Sequence, residues 1–272
     1  MAKKVNYLNN KDILLEIHKS KNSYSSYVSD EYCNYDIILE SIDKINIRTI
    51  AEAKRNKAKK LSTIDYDSRK DNGENVKLAD CEIDYKTIKK TDLIFRIMTF
   101  DHIPDEVGRK KNPKTVADHK VKLNFPPYQH WKFDENDNLV CVGKSHWVGG
   151  MDNGHFSRDH GKTTNKLALM WLKLCDRYAT RGNVRGYSYN DEMKSQAILQ
   201  LSQIGLQFNE AKSQNPFSYY TSVINNSFLR IINIEKKNQE LRDDILEMNN
   251  LNPSHTRLHN SEWDAAVRRN EM

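Results

Sequence analysis

Three stretches in which apolar residues recur every third or fourth position restrict the fold most. In 165–179, Leu167, Trp171, Leu174, Cys175 and Tyr178 share one helical face. In 190–208 the face is Met193, Ala197, Leu201, Ile204 and Phe208. In 215–237 it is Phe217, Tyr220, Ile224, Phe228 and Ile231, with Asn215–Pro216 supplying a cap and a first-turn proline. A short polar loop at 181–189 joins the first two. Helices so connected bury such faces against one another. The spacing therefore predicts a helical unit over 161–250, with 235–250 continuing the third helix and 251–272 as a tail that holds a short helix near 261–269.

The rest of the chain reads differently. Residues 9–21 predict a short helix with Ile13, Leu14 and Ile17 inward and Asn10 as its cap, the centre of an N-terminal element over 1–30. Residues 35–61 follow a helical pattern that ends in a basic run, and 62–86 are polar and turn-rich, so a loop is expected there. The segment 91–100 suits either a helix or a strand. From 101 to 160, short β-like runs (VKLNF, HWKF, NLVCVGKSHWV) alternate with turn signals (PPYQ, DEND), which predicts a small sheet or ribbon. The fold class expected is mainly α, with 31–160 as a mixed α/β insert.

Net charge is +6, a modest excess that suits an anionic partner. No apolar run reaches the ~18 residues a membrane span needs, and the N-terminus has no apolar signal core. Cys33, Cys81, Cys141 and Cys175 are far apart with no CxxC, so reduced thiols are expected.

Two helical faces stand out because they do not face the core. On the third helix, Tyr219, Asn226, Arg230, Asn233 and Lys237 line up away from the buried stripe. Asn and Arg can bond base edges, Lys reaches phosphates, and an outward Tyr can stack on an unpaired base; a plain solvated face is the competing reading. On the second helix, Gln196, Gln200, Gln203 and Gln207 form an uncharged stripe flanked by Leu199 and Leu206. That composition suits a protein partner, or cover by an N-terminal element.

The order of these features resembles conserved region 2 of the sigma-70 family of transcription initiation factors. The motif EMKSQAILQLSQIGLQF, a loop and then NPFSYYTSVINNSFLRI follow that family's sequence, and FSYY (217–220) matches its FSxY signature. With NYLNNKDILLEI (6–17), NKLALMWLKL and RGYSYNDEMKSQAI, the chain is similar to late-transcription sigma factors of T-even-type phages, in the larger cyanophage and marine-myovirus form. The resemblance implies a non-enzymatic factor without cofactor or metal, at work in the cytoplasm of the infected bacterial host. It implies binding to core RNA polymerase, through the β′ coiled coil, by Gln196, Leu199, Gln200, Gln203, Leu206 and Gln207. It implies recognition of an AT-rich −10-like promoter DNA element by Phe217, Tyr219, Tyr220, Asn226, Ser227 and Arg230, and the face extends to Asn233 and Lys237. A sliding clamp or a late co-activator is a further partner it raises, with Trp263 between Glu262 and Asp264 echoing the family's clamp-binding end. Two features depart from the family. Val223 and Ile224 stand where it carries adjacent tryptophans, and no second domain for a −35 element is visible after 250.

The alternative reading is a stand-alone DNA-binding or nuclease-like protein with its chemistry in 101–160. There His102, His119, His130, His146, His155 and His160 lie near Asp152 and Asp159, beside the basic run GRKKNPK (108–114). HFSRDH fits no familiar metal-ligand spacing, and no GxxxxGK[ST], GxGxxG or GxSxG motif is present. A helical adaptor that binds only protein is a third reading.

Overall fold

A computed structural model describes residues 8–104, 123–259 and 263. It is mainly helical with a small mixed sheet and divides into two compact units. The first comprises 1–170 with 202–219; the second comprises 171–201 with 220–272.

The first unit is built on a five-stranded sheet. Its strands are β1 (Ser25–Tyr27), β2 (Ile37–Leu39), β3 (Ile94–Ile97), β4 (Gln129–Phe133) and β5 (Leu139–Ser145), in the order β1-β5-β4-β3-β2. β2 and β3 are parallel and the other pairs antiparallel. A parallel pair needs a long crossover, and α2 (Ile47–Asp71) supplies it. One face of β3 presents Phe95 and Ile97 to α2, where they join Ile37, Leu39, Ala53, Ala58, Leu93 and Phe133 in a core. Because alternate residues point to opposite faces, Arg96 lies on the other side, fully buried. β4 and β5 form a hairpin whose turn, as DEND predicts, places Asp137 at φ 62. A two-stranded ribbon follows, β6 (Trp147–Val148) with β7 (His155–Phe156).

Several boundaries differ from the sequence expectations. In α1 (Asn10–Asn22) the cap is Asn9, whose side chain accepts from the Asp12 amide at 2.9 Å; Asn10 instead accepts from the Phe217 amide at 3.2 Å. Ile13 and Ile17 are buried as expected, while Leu14 is only half-buried. The helix expected from 35 begins at Ile47, because Asn46 and Thr49 close a capping box there and β-branched 37–38 pair with β3. The loop expected from 62 is helical to Asp71, held by the Asp65–Arg69 pair one turn apart and by Ser62 Oγ accepting from the Ile83 amide. The 91–100 alternative resolves to a strand, and the described part of VKLNF is not one. The run 108–114, His119 and all of 261–269 except Trp263 lie outside the described residues.

The second unit holds most of α3 (Asn165–Ala179), most of α4 (Asn190–Ile204) and most of α5 (Pro216–Met248). The inward face read from α3 is buried at Trp171, Leu174, Cys175 and Tyr178, and Leu167 is buried in the first unit. Met193, Ala197 and Leu201 of α4 and Tyr220, Ile224, Phe228 and Ile231 of α5 are buried as well. Asn190 ties the loop by donating to the Ala179 and Val184 carbonyls, both at 3.1 Å. Two details depart from the expected pattern. α4 ends at Ile204, which is half-buried, and gives way to a 3-10 turn at Gly205–Gln207. Phe217 is 38% exposed rather than core. α5 continues to Met248, as expected from 235–250.

The helical unit expected over 161–250 is thus not one body. Residues 202–219 group with the sheet, because Lys21 of α1 donates to the Phe208 carbonyl at 2.8 Å and pairs with Glu210 at 3.2 Å, while Arg96 of β3 pairs with Glu210 at 2.9 Å. Nor is 31–160 a self-contained insert, since β1, its edge strand, comes from Ser25–Tyr27. The four cysteines are unpaired, and among the described residues no helix is long and apolar enough to cross a membrane.

Candidate nucleic-acid interface

α5 starts where Asn215 accepts from the Ser218 amide at 3.1 Å, ahead of Pro216. Further along, Asn226, Arg230, Asn233 and Lys237 are all exposed on one strip. Neither cation of that strip makes an ion pair among the described residues, so both heads remain available to an incoming anion. Beside it, Tyr178 donates to Asn225 Oδ1 and meets the Phe228 ring edge-on at 5.2 Å. Arg181 lies over the outer face of Tyr178, 4.0 Å from the ring centre. Arg177 and Arg185 are exposed on the same stretch. The second unit therefore offers amide and cationic donors together, the chemistry that phosphates and base edges require.

Three residues expected at this interface are turned away from it. Tyr220 is fully buried, its ring edge-on to Trp171 at 5.8 Å. Ser227 is 6% exposed, and its hydroxyl has no hydrogen-bond partner among the described residues. Both lie on the apolar stripe, each about one turn from Ile224, which the 3.6-residue repeat also turns inward. Tyr219 is half-buried in the first unit. Its hydroxyl donates to the Ile204 carbonyl at 2.9 Å and its ring packs on Phe208, so it fastens the start of α5 rather than presenting a stacking face. Phe217 is the exposed aromatic of FSYY. Val223 and Ile224 are buried, so the two positions where the resemblance places tryptophans carry no outward wedge.

On α4, Leu199 is 51% exposed, with Gln196 and Gln200 half-buried beside it. In the first unit, Gln203 is exposed, but Leu206 is 6% exposed and Gln207 half-buried. The break at Ile204 explains this: the 3-10 turn rotates Leu206 inward, off the expected partner face.

The histidines of the sheet unit are engaged internally. His130 Nδ1 donates to the Tyr32 carbonyl at 2.7 Å and its Nε2 accepts from Arg96 Nε at 2.9 Å. His102 Nε2 donates to the Ser145 carbonyl at 2.8 Å, leaving Nδ1 to accept from Gln129 at 3.2 Å. Both rings are therefore neutral, and burial holds His130 well below the usual histidine range and His102 down at about 4. The His146 ring lies tilted against that of Phe125, centroids 4.1 Å apart, and burial drives it to about 3. Among the described residues no three His, Cys, Asp or Glu side chains come together as a metal would require.

A buried charge cluster went unread in the sequence. Arg96 is sandwiched between Tyr35 and Tyr128, 3.9 and 3.8 Å from their ring centres. It also reaches Glu210, His130 and His18. Burial raises the Glu210 carboxyl, but Lys21 and Arg96 outweigh it and hold Glu210 below its ordinary value. The signal was present: an arginine inside the apolar run LIFRIM must find a carboxylate if that run is a central strand.

A scan against protein-family models and searches among curated proteins and solved structures found no match to this chain.

Proposed function

We propose that this protein is a sigma-type specificity factor for phage late transcription. It binds the core RNA polymerase of a bacterial host and reads an AT-rich −10-like element, and the polymerase supplies the catalysis. The observation that carries the reading is the exposed strip Asn226, Arg230, Asn233 and Lys237, with its two unpaired cations, on the helix whose sequence resembles the promoter-reading segment of sigma region 2. Polymerase contact is assigned to α4 through Leu199, Gln196, Gln200 and Gln203, without Leu206. A sliding clamp or late co-activator is a further partner of the same reading, with the 65% exposed Trp263 as its contact. Its site of action is the cytoplasm of the infected host.

Run-off transcription with host core polymerase on an AT-rich promoter tests this. Specific transcripts are expected only when the protein is added, and more on supercoiled or pre-melted templates than on linear duplex, because Val223 and Ile224 give no outward wedge. Identical transcripts with and without the protein would overturn the reading.

Two substitutions refine it. Leu199→Asp is expected to weaken core-polymerase binding by about 1–3 kcal/mol, the range of an interface anchor, with an unchanged far-UV spectrum. An unaltered titration in a pull-down would remove α4 from the contact. Arg230→Ala is expected to weaken DNA binding and, if Arg230 meets a phosphate, to reduce the salt slope by about 1. A slope equal to wild type with relaxed sequence preference would assign Arg230 to a base instead.

A further inference from the structure

α5 carries a seven-residue repeat along its whole length. In its first half, Tyr220, Ile224, Ser227 and Ile231 occupy the inward positions and are buried in the second unit. The same stripe continues as Ile234, Asn238, Leu241, Ile245 and Met248, spaced four and three residues apart. Its apolar members are now 42%, 60%, 51% and 83% exposed. The described part of the chain's return does not cover them. Residues 252–259 attach to the opposite flank, where Ser254 bonds Asp243 and Arg257 pairs with Asp244 and Glu247.

The geometry points to a second copy of this chain as the occupant, its stripe paired antiparallel to the first. The charges flanking the stripe select that arrangement. With the twofold axis midway between 239 and 240, Ile234 faces Ile245 of the second copy and Asn238 faces Leu241. Glu235 then lies beside Arg242 of the other copy, and Lys237 beside Asp244, so each pair occurs twice with opposite signs. A parallel pair would instead set Lys237 beside Arg242. It would also bring the two buried cores, which end at Ile231, side by side; the antiparallel pair puts them at opposite ends. Asn238, the single polar residue of the exposed stripe, fixes the register, as one buried asparagine does in coiled coils. The two Asn238 amides fall in adjacent layers about the axis, within reach of each other. Neither Glu235 nor Arg242 makes an ion pair among the described residues, while Asp244 already holds Arg257. The seam is short, below the ~1,200 Å² of a standard interface, so the dimer belongs with the weak, transient associations. The seam shares Lys237 with the DNA-reading strip, while Asn226, Arg230 and Asn233 lie off it, so the substitutions that test the seam leave the strip untouched.

Sedimentation equilibrium of the full-length protein at low salt, from about 1 to 200 µM, tests it over the range in which a weak association shows. A monomer–dimer equilibrium is expected. Leu241→Asp should abolish it without changing the far-UV spectrum, because Leu241 touches no core. Glu235→Arg and Arg242→Glu should each weaken association about tenfold, the cost of setting like charges together twice, and the double exchange should restore it. A monomer throughout that range would overturn the proposal. So would a dimer that survives Leu241→Asp, or a double exchange that fails to recover association.

Discussion

Glu210→Ala is expected to destabilise the sheet unit by about 3–5 kcal/mol, the range found when one partner is removed from a buried ion pair. The size follows from what the substitution leaves behind. The side chains of Lys21 and Arg96 are 4% and 1% exposed, and among the described residues Glu210 is the one carboxylate they pair with. Without it two cations stay in a space that water reaches poorly. Burial already lowers the Lys21 ammonium, so part of the response is deprotonation of Lys21, an escape that arginine lacks. Glu210→Gln keeps the shape and an acceptor oxygen but not the charge, and it should lose less than the alanine variant. Native-state hydrogen exchange at the β3 and β4 amides reads the effect in this unit alone. A loss under about 1 kcal/mol in the alanine variant, no larger than an exposed pair gives, would show that the carboxylate does not secure the cluster. Because Glu210 lies between α4 and α5, the same variant is expected to loosen 205–215 and the start of α5, which Tyr219 also fastens to Ile204.

The helices of the second unit were legible because their information is local. A stripe such as Trp171, Leu174, Cys175 and Tyr178 sets both the element and its buried face, and the loop at 181–189 is polar enough to mark itself. The outward strip from Asn226 to Lys237 was legible for the same reason. The errors came from long-range causes. Nothing near residues 37–39 signals that their partner is 95–97, since a parallel pair is joined only through the whole of α2. Residues 202–219 look helical and contiguous with their neighbours, yet Lys21 and Arg96, far away in sequence, hold them to the sheet. Tyr219 and Leu206 were misplaced because one periodicity was carried past Ile204 and back to the first turn of α5. The structure breaks that periodicity with a 3-10 turn and a hydrogen bond to its carbonyl.

Mild acid is expected to unfold the sheet unit before the helical one. His130 and His146 are buried in the first unit and His18 and His102 half-buried, and desolvation is the leading cause that keeps each neutral. Around His18 the Arg96 cation adds to burial, Lys60 and Lys21 act the same way, Glu210 opposes, and the balance lies at about 3. A histidine depressed in the folded state binds fewer protons folded than unfolded at any pH between its two pKa values. Stability therefore falls as pH drops through the unfolded value of about 6.5, and it keeps falling until the folded value is reached. At pH 5 each such ring costs at most about 2 kcal/mol, so four together approach the whole stability of an ordinary domain. Glu210, held below its ordinary value, adds a loss in the same direction at lower pH. Asp36, raised by burial, opposes it there. The second unit is an internal control, because 171–201 and 220–254 contain no histidine and the two that follow, His255 and His259, are exposed. Hydrogen exchange from about pH 7.5 to 4.5, corrected for the intrinsic pH dependence of exchange, should show protection lost at β3 and β4 while the buried turns of α3 and α5 retain theirs. Protection that stays level in both units down to the bottom of that range would mean that the four rings take up protons in place, and that the neutral hydrogen-bonding roles assigned to His102 and His130 are wrong.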